Sequence, residues 1–289
     1  MQVQKSFQNQ HSCLYLVPTP IGNLKDMTYR AVEVLKEVDL ILAEDTRHSH
    51  YLLSYYQIET PVQSFHEHSS QEKVAAYVEQ IKSGQTLALI SDAGMPLIND
   101  PGHPLVQALL EQGLQVIALP GANAALTALV ASGLPANQFT YYGFFPRKKS
   151  DQLQLLQDLR GKKQSLIFYE SPYRLKTTLK IMASQWSSDT AIVIGRELTK
   201  QFEEYLRGSL SEVQAYVADQ TIKGEIVLMV HLEEERICQA EELGSEDYKM
   251  KVQALMVEKD LSAKAAIKEV ANQYQVDKRR VYAAYHELD

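Results

Sequence analysis

Charged residues gather at the downstream ends of apolar runs in this chain, where side chains can do chemistry. "AEDTRHSH" (43–50) puts Glu44, Asp45 and Arg47 directly after one such run. A carboxylate there can orient a hydroxyl or take its proton. It can equally cap a helix that starts at Thr46, with Asp45 as the capping residue, and the sequence leaves both readings open. "FYESPYR" (168–174) and "GRELTKQFEE" (195–204) repeat the arrangement with Glu170, Arg196, Glu197 and Lys200. Acids and bases this close in a cleft shift one another's pKa, and purely structural ion pairs do the same. The pairs His48/His50 and His66/His68 have no third ligand at motif spacing, so no metal is expected.

A different chemistry is written in "LALISDAGMPLINDPGHP" (87–104), where an apolar strand runs into a loop rich in Gly and Pro. Gly lets backbone approach a ligand closely, and Pro stiffens a loop. In an open α/β sheet, loops at the carboxyl ends of strands bind ligands; a tight turn alone is the bland alternative. "VPTPIGNL" (17–24) also follows a strand but lacks the G-x-G-x-x-G of dinucleotide binding. The P-loop and the G-x-S-x-G elbow of α/β-hydrolases are absent as well. "PGANAA" (120–125) opens a helix, whose N-terminus suits a carboxylate or phosphate.

Elements of two kinds must position these stretches. "CLYLV" (13–17), "DLILAE" (39–44), "TLALIS" (86–91) and "QVIAL" (115–119) read as buried strands. Between them, 28–38, 70–84 and 104–113 carry apolar residues at helical spacing. Strand–helix alternation predicts a mostly parallel sheet covered by helices. A second set of strands is expected at 139–144, 165–170, 190–195, 203–208 and 225–232, spaced closely enough to be partly antiparallel. The junction falls near 119–126. This gives an α/β chain of two domains, 1–120 and 121–236. An acidic linker, "EEERICQAEELGSED" (233–247), leads into a helical tail, the two together forming 237–289. Ser262 is a candidate N-cap there, with a break near "YQVD" (274–277).

The 289 residues carry a net charge of −7, which argues against holding nucleic acid by global charge. Two unpaired Cys and no long apolar span fit a reducing cytoplasm and no membrane anchor. The polar first twelve residues read as a frayed leader without the apolar core of a signal peptide. Positive charge is local. "PRKKSDQLQLLQDLRGKK" (146–163) has six bases against two acids, and 249–280 has eight against four.

Taken in order, "VPTPIGNLKDMT", "AEDTR", "SDAGMPLINDPG", "PGANA", "FYESPYR", "RELTKQFEE" and "GEIVLMV" resemble the ribosomal RNA small subunit methyltransferase I family, a branch of the tetrapyrrole (corrin/porphyrin) methylases. The resemblance runs from Leu14 to Leu232, and the tail is similar to that family's C-terminal extension. Met95 stands where Thr is usual and Asn99 where Ser is usual. The resemblance implies two α/β domains with S-adenosylmethionine in the cleft between them. It implies methylation of the ribose 2′-hydroxyl of a cytidine in the decoding region of 16S rRNA.

By this resemblance the donor meets Pro20 and Gly22 after the first strand. It also meets Asp92, Ala93, Gly94, Met95, Pro96 and Ile98 of the Gly/Pro loop, and Gly121, Ala122, Asn123 and Ala124 at the helix start. Glu170 is expected beside it. A ribose hydroxyl needs a positioned base; Glu44, Asp45, Glu170 and Glu197 are candidates. Arg47, Arg196 and Lys200 are candidates for phosphate or oxyanion contact, and Lys200 becomes a base if burial lowers its pKa. Arg147, Lys148, Lys149, Lys162 and Lys163 are expected to hold RNA phosphates. Tyr141, Tyr142, Phe144 and Phe145 suit either base stacking or a core strand. Expected partners are the small ribosomal subunit or its 16S rRNA and a second copy of the chain. Two other readings remain at this stage: a methylase of a small tetrapyrrole-like metabolite, and a non-catalytic RNA-binding module.

Overall fold

The structure is a computed structural model that describes residues 3–6, 12–233, 245–259, 261–273 and 278–286. Residues 234–244 of the expected linker (with Cys238), the tail break at 274–277 and most of the leader lie outside the described residues. The chain separates into two compact units, 1–232 and 233–289.

The first unit begins with a five-stranded parallel sheet: β1 (Cys13–Val17), β2 (Leu40–Ala43), β3 (Val62–Ser64), β4 (Leu87–Ile90) and β5 (Gln115–Ala118), in the order β3-β2-β4-β1-β5. Both faces are buried, which is why its strands read as unbroken apolar runs. Side chains alternate along β1: Cys13 and Val17 join one core and Leu14 the other. Helix α1 (Tyr29–Glu37) packs on the first face with the buried side of α2 (Thr46–Tyr55), and α3 (Gln71–Lys82) and α4 (His103–Glu111) pack on the second. Crossovers therefore leave β1 and β4 on opposite faces, and the loops following these two neighbours meet at the switch point where α/β sheets take ligands. The edge strand β3 was not anticipated; it is three residues long and partly exposed, so it has no apolar run to betray it.

Helix α5 (Ala124–Ser132) leads into a mixed sheet of β6 (Phe139–Phe144), β7 (Gln164–Glu170), β8 (Ala191–Arg196), β9 (Glu204–Ser209) and β10 (Ile226–Leu232), ordered β6-β7-β10-β8-β9. Only β6 and β7 pair in parallel; the remaining pairs are antiparallel, as the short spacings predicted. Helices α6 (Lys149–Asp158), α7 (Pro172–Ala183) and α8 (Leu210–Asp219) cover one face and α5 the other. α6 lies inside the basic stretch 146–163. Its Leu156 is fully buried, so this stretch is first a packed helix and only then a charged surface.

The second unit holds α9 (Ser245–Lys259), α10 (Ala263–Gln273) and α11 (Lys278–His286) around Tyr248, Val252, Ile267, Val270 and Val281. Ser262 caps α10, its hydroxyl accepting from the Ala265 N–H at 3.4 Å. α9 begins at Ser245, two residues before the expected end of the acidic linker.

Candidate active site

The loops after β1 and β4 are joined by a short antiparallel bridge. Thr19 N–H donates to Gly94 O at 2.9 Å, and Gly94 N–H returns a bond to Thr19 O at 3.0 Å. The Thr19 hydroxyl donates to Ser91 O and the Ser91 hydroxyl to Gly94 O, each at 3.0 Å. The Gly/Pro loop is thus held from within. Gly94, at φ +84°, is required for that path, as a β-carbon there is both strained and pressed to 3.3 Å from Ile21. Leu97 and Asn99 also take positive φ, +70° and +68°. Asn tolerates this conformation far better than Ser, which accounts for Asn99 here. Its side-chain oxygen accepts from the Tyr141 hydroxyl of the second sheet. A β-carbon on Gly143 would sit 2.8 Å from the Asn99 amide, so Gly143 leaves room for this contact.

Below the loop lies a cavity of about 420 Å³ between the two sheets. Asp92, Ala93, Gly94, Met95, Ile98, Asn123, Ala124 and Glu170 line it, all expected at the donor site. A second cavity of about 730 Å³ adjoins it, and Pro20 and Gly22 line that one instead. Ile21, Asp92, Ala93 and Glu225 belong to both walls. Pro96, Gly121 and Ala122 line neither. Gly121 has a packing reason for its identity, since its α-carbon lies so close under Pro18 that a β-carbon would approach the ring to 2.6 Å. The first cavity's walls suit a nucleoside: Ile21, Ile98, Leu198, Ile226 and Val227 are apolar, and the N-terminus of α5 faces in through Asn123 and Ala124. Asn123 caps that helix through Leu126 N–H at 3.0 Å. Helix N-termini favour carboxylates, so these residues fit an amino-acid-bearing nucleoside.

The expected bases behave differently from one another. Asp45 is the N-cap of α2. It accepts from Arg47 N–H at 2.9 Å and from the Arg47 guanidinium at 2.9 and 3.2 Å, which holds its carboxyl down at about 2. Of the two readings open in the sequence, capping is the one the geometry meets, and neither Asp45 nor Arg47 lines a cavity. Glu170 has a fully buried carboxylate that accepts from Ser171 N–H at 2.7 Å, from the Thr178 hydroxyl at 2.5 Å and from Arg174 at 3.3 Å. Arg174 also donates to Phe145 O and Pro146 O, both at 2.7 Å. Glu170 thus fastens the end of β7 to the start of the basic stretch.

Glu197, at φ +49°, accepts from Glu225 N–H at 2.9 Å and from Lys200 at 2.9 Å, and these bonds lower its pKa. Burial favours a neutral Lys200, but its bonds to Glu225 (2.8 Å) and Glu197 outweigh burial and raise its pKa. The expectation that Lys200 loses its proton by burial is therefore corrected: two carboxylates keep it an ammonium. Arg196 is spent within the sheet, 2.9 Å from Glu204 directly opposite on β9.

Glu44 keeps a raised pKa, from burial first and then repulsion by Asp92 and Glu67. It lines neither cavity, yet it belongs to an acidic cluster that includes a residue not anticipated, Asp100. Burial, with Glu44 and Asp92 adding repulsion, pushes Asp100 to about 6. Asp100 lies in the first cavity wall, and Asp92, whose Oδ1 accepts from Asp45 N–H at 3.2 Å, lies in both. Asp100 sat in plain view in "INDPG"; only the folded arrangement gives it charged neighbours. Among the described residues, no group of three or more His, Cys, Asp or Glu is placed to hold a metal ion.

The expected RNA contacts line neither cavity. Arg147, Lys148 and Lys149 are exposed at the N-terminal end of α6, while Lys162 and Lys163 are exposed beyond its C-terminal end. Ten helical residues span about 15 Å, so the single basic patch expected from sequence is in fact two. Of the four aromatics before it, Phe145 is buried, Tyr142 stacks on Phe168 at 5.3 Å and Tyr141 packs on Tyr169 at 5.1 Å. Phe144 alone is largely exposed, at the rim of the first cavity.

Comparison with known proteins agrees with this architecture. The family of tetrapyrrole (corrin/porphyrin) methylases matches residues 13–214. A protein from Streptococcus pyogenes serotype M3 named ribosomal RNA small subunit methyltransferase I is 45% identical over 100% of both chains. Among solved structures, the cobalamin biosynthetic enzyme cobalt precorrin-4 methyltransferase superposes with a TM-score of 0.59 at 17% identity, covering 78% of this chain and 98% of its own. Uroporphyrin-III C-methyltransferase from Thermus thermophilus, complexed with S-adenyl homocysteine, gives 0.53 at 14% identity, covering 76% and 97%.

Proposed function

The chain belongs to the ribosomal RNA small subunit methyltransferase I family of the tetrapyrrole methylases, and from that premise we propose that it methylates the ribose 2′-hydroxyl of a cytidine in the decoding region of 16S rRNA. It is a methyltransferase of ribosomal RNA, and its methyl donor is S-adenosylmethionine. The observation that carries the finer reading is the pair of adjoining cavities that share Asp92 and Ala93, one with a helix N-terminus in its wall and one lined by Lys25, Lys200 and two tyrosines. A donor and an acceptor can meet across such a wall. The 45% likeness to a ribosomal RNA enzyme over the whole chain, against 17% to a precorrin enzyme, favours rRNA over a tetrapyrrole substrate.

The donor supplies a methyl group activated on a sulfonium. The chain's own contribution is placement, proton removal and exclusion of competing contacts. The Thr19–Gly94 bridge fixes the Gly/Pro loop before any ligand arrives, and oriented reactants can gain up to roughly 7–11 kcal/mol. Asp92, backed by Glu44 and Asp100, is the group placed to take the hydroxyl proton. Asp45, Glu170, Glu197 and Lys200 act as cap, fastener and ion pair, holding the walls. Arg147, Lys148 and Lys149 hold phosphates. The working protein is a cytoplasmic homodimer, which light scattering tests; among the described residues no helix is long and apolar enough to cross a membrane.

Tritiated methyl transfer to small subunits and to free rRNA, followed by nucleoside analysis, tests the proposal. Label recovered in 2′-O-methylcytidine supports it, and label in a base or in no RNA at all refutes it.

A further inference from the structure

The second cavity has a wall that a soluble helix seldom presents. On α2, Ser49, Leu52 and Leu53 are buried, while His48, Tyr51 and Tyr55 follow at i, i+3 and i+7 along an exposed stripe beside them, and Ser49 and Leu52 line the cavity with that stripe. Solvent-facing helical positions are usually charged or small. Here Tyr51 and Tyr55 are 70% and 54% exposed, and both line the cavity. Lys25, from the loop after β1, lines the same cavity, as does Lys200, from the loop after β8, whose ammonium is paired with Glu197 and Glu225. Tyr56, next along α2, donates to Leu24 O and so ties the helix to the Lys25 loop. Among the described residues the Thr199 hydroxyl oxygen is buried in this wall without a hydrogen-bond partner. Exposed rings, the ammonium of Lys25 and a wall shared with the first cavity form a coherent set. Unpaired bases stack on aromatic rings, and phosphates seek lysines.

We propose that this second cavity is the subsite for the target nucleotide of a single-stranded RNA segment, with the base against Tyr51 and Tyr55 and a flanking phosphate at Lys25. The ribose then faces the shared wall at Asp92 and Ala93. The proposal rests on the rRNA methyl-transfer reading and adds where the acceptor enters.

The test uses the full chain saturated with S-adenosylhomocysteine and titrated with a fluorescent, cytidine-containing single-stranded RNA oligonucleotide. Tyr51→Ala with Tyr55→Ala is expected to weaken oligonucleotide binding about tenfold or more, the loss of roughly one stacked base. S-adenosylhomocysteine affinity stays unchanged, which also reports folding. Tyr51→Phe with Tyr55→Phe keeps the rings and restores most of the binding. In transfer assays the alanine pair raises KM for small subunits more than it lowers kcat. Unchanged oligonucleotide affinity and KM in the folded alanine pair overturn the subsite. So does an alanine pair that only breaks apart a wild-type oligomer in light scattering, because the stripe is then a face for a second copy. A wild-type chain that labels no rRNA overturns the functional reading itself, an outcome separable from both.

Discussion

Lys200 lies directly over the α-carbon of Gly22: a β-carbon built on Gly22 would sit 2.4 Å from Lys200 Cγ and 3.0 Å from its Cε. A loop of the second sheet is thereby laid against a loop of the first, at the mouth of the second cavity. Seating any side chain at position 22 has to lift the lysine from Glu197 and Glu225.

Gly22→Ala is expected to cost roughly 1–3 kcal/mol, the usual range for overpacking. Adding Lys200→Ala relieves the closest approach while the 2.9 Å approach to Thr199 Oγ1 and the φ of +157° remain, so the double variant loses somewhat less stability than the two single losses together. A double-mutant cycle by chemical denaturation reads this directly. Strict additivity rules out the contact.

Glu170→Ala strips a buried carboxylate from Ser171, Thr178 and Arg174 and leaves the guanidinium without its acid. Breaking such a pair costs roughly 3–5 kcal/mol when both partners are buried; Arg174 is part exposed, so a loss near the lower figure is expected. Glu170→Gln retains the shape and part of the hydrogen bonding, so it keeps most of the donor affinity and turnover. A well-folded Glu170→Gln with normal donor affinity and no turnover assigns the residue to chemistry instead.

Asp100 holds its proton more tightly in the folded chain than in the unfolded one. Its charge therefore costs stability in full above about pH 6; the cost fades as pH falls from about 6 to about 4, the ordinary carboxylate value, and is gone below that. Asp100→Asn should raise Tm at neutral pH, by roughly 1–3 kcal/mol in stability once solvent screening is allowed for. The gain shrinks steadily between about pH 6 and 4. The same variant is expected to alter the acid limb of the transfer rate, because it removes from the first cavity's wall a carboxyl that titrates at about 6. A Tm gain equal at both pH extremes contradicts the shift.

Arg147, Lys148 and Lys149 crowd the positive end of the α6 dipole, and no side chain caps that end. Cations there are unfavourable by about 0.3–1 kcal/mol each at an exposed site, so they do not serve the helix. Neutralising all three should leave stability equal or higher. RNA binding should weaken across sequences, and the slope of log affinity against log salt should flatten by about 0.7–0.9 per lost phosphate contact. Lys162→Ala with Lys163→Ala, at the other end of the helix, should have the smaller effect. Equal salt slopes for wild type and the triple variant exclude these residues from RNA contact.

Strands buried on both faces were easy to read, because Leu14, Ile41, Leu89, Phe168 and Leu228 stand in runs that leave no other fate for apolar residues. β3 is short and half exposed, and α6 is masked by lysines at both ends. The shape of the Gly/Pro loop was legible through Gly94 and its prolines, whose conformational limits are local. The carboxylates were not, because their roles depend on what the fold sets beside them. Asp45 is decided by an N–H two residues on, and Glu170 by Thr178 eight residues on. Glu197 is decided by the backbone of Glu225, where a β-carbon on Gly224 would strike the Glu197 side chain at 2.4 Å. Asp100 drew no notice because its neighbours, Glu44 and Asp92, come from other loops.

The left-handed residues of the donor loop have a thermodynamic consequence. Leu97 and Asn99 hold costly backbone angles beside Gly94, which takes its own freely, and the bridge to Thr19 with the clasp to Tyr141 keeps the loop there. The entropy of shaping the cradle is thus spent when the chain folds, and little ordering is left to charge against ligand association. Affinity at this site is then governed by contact and desolvation, and the cradle's integrity is tied to the global stability of the first unit. Anything that loosens the sheet junction weakens the donor's grip in proportion, even when it touches no residue of the cavity.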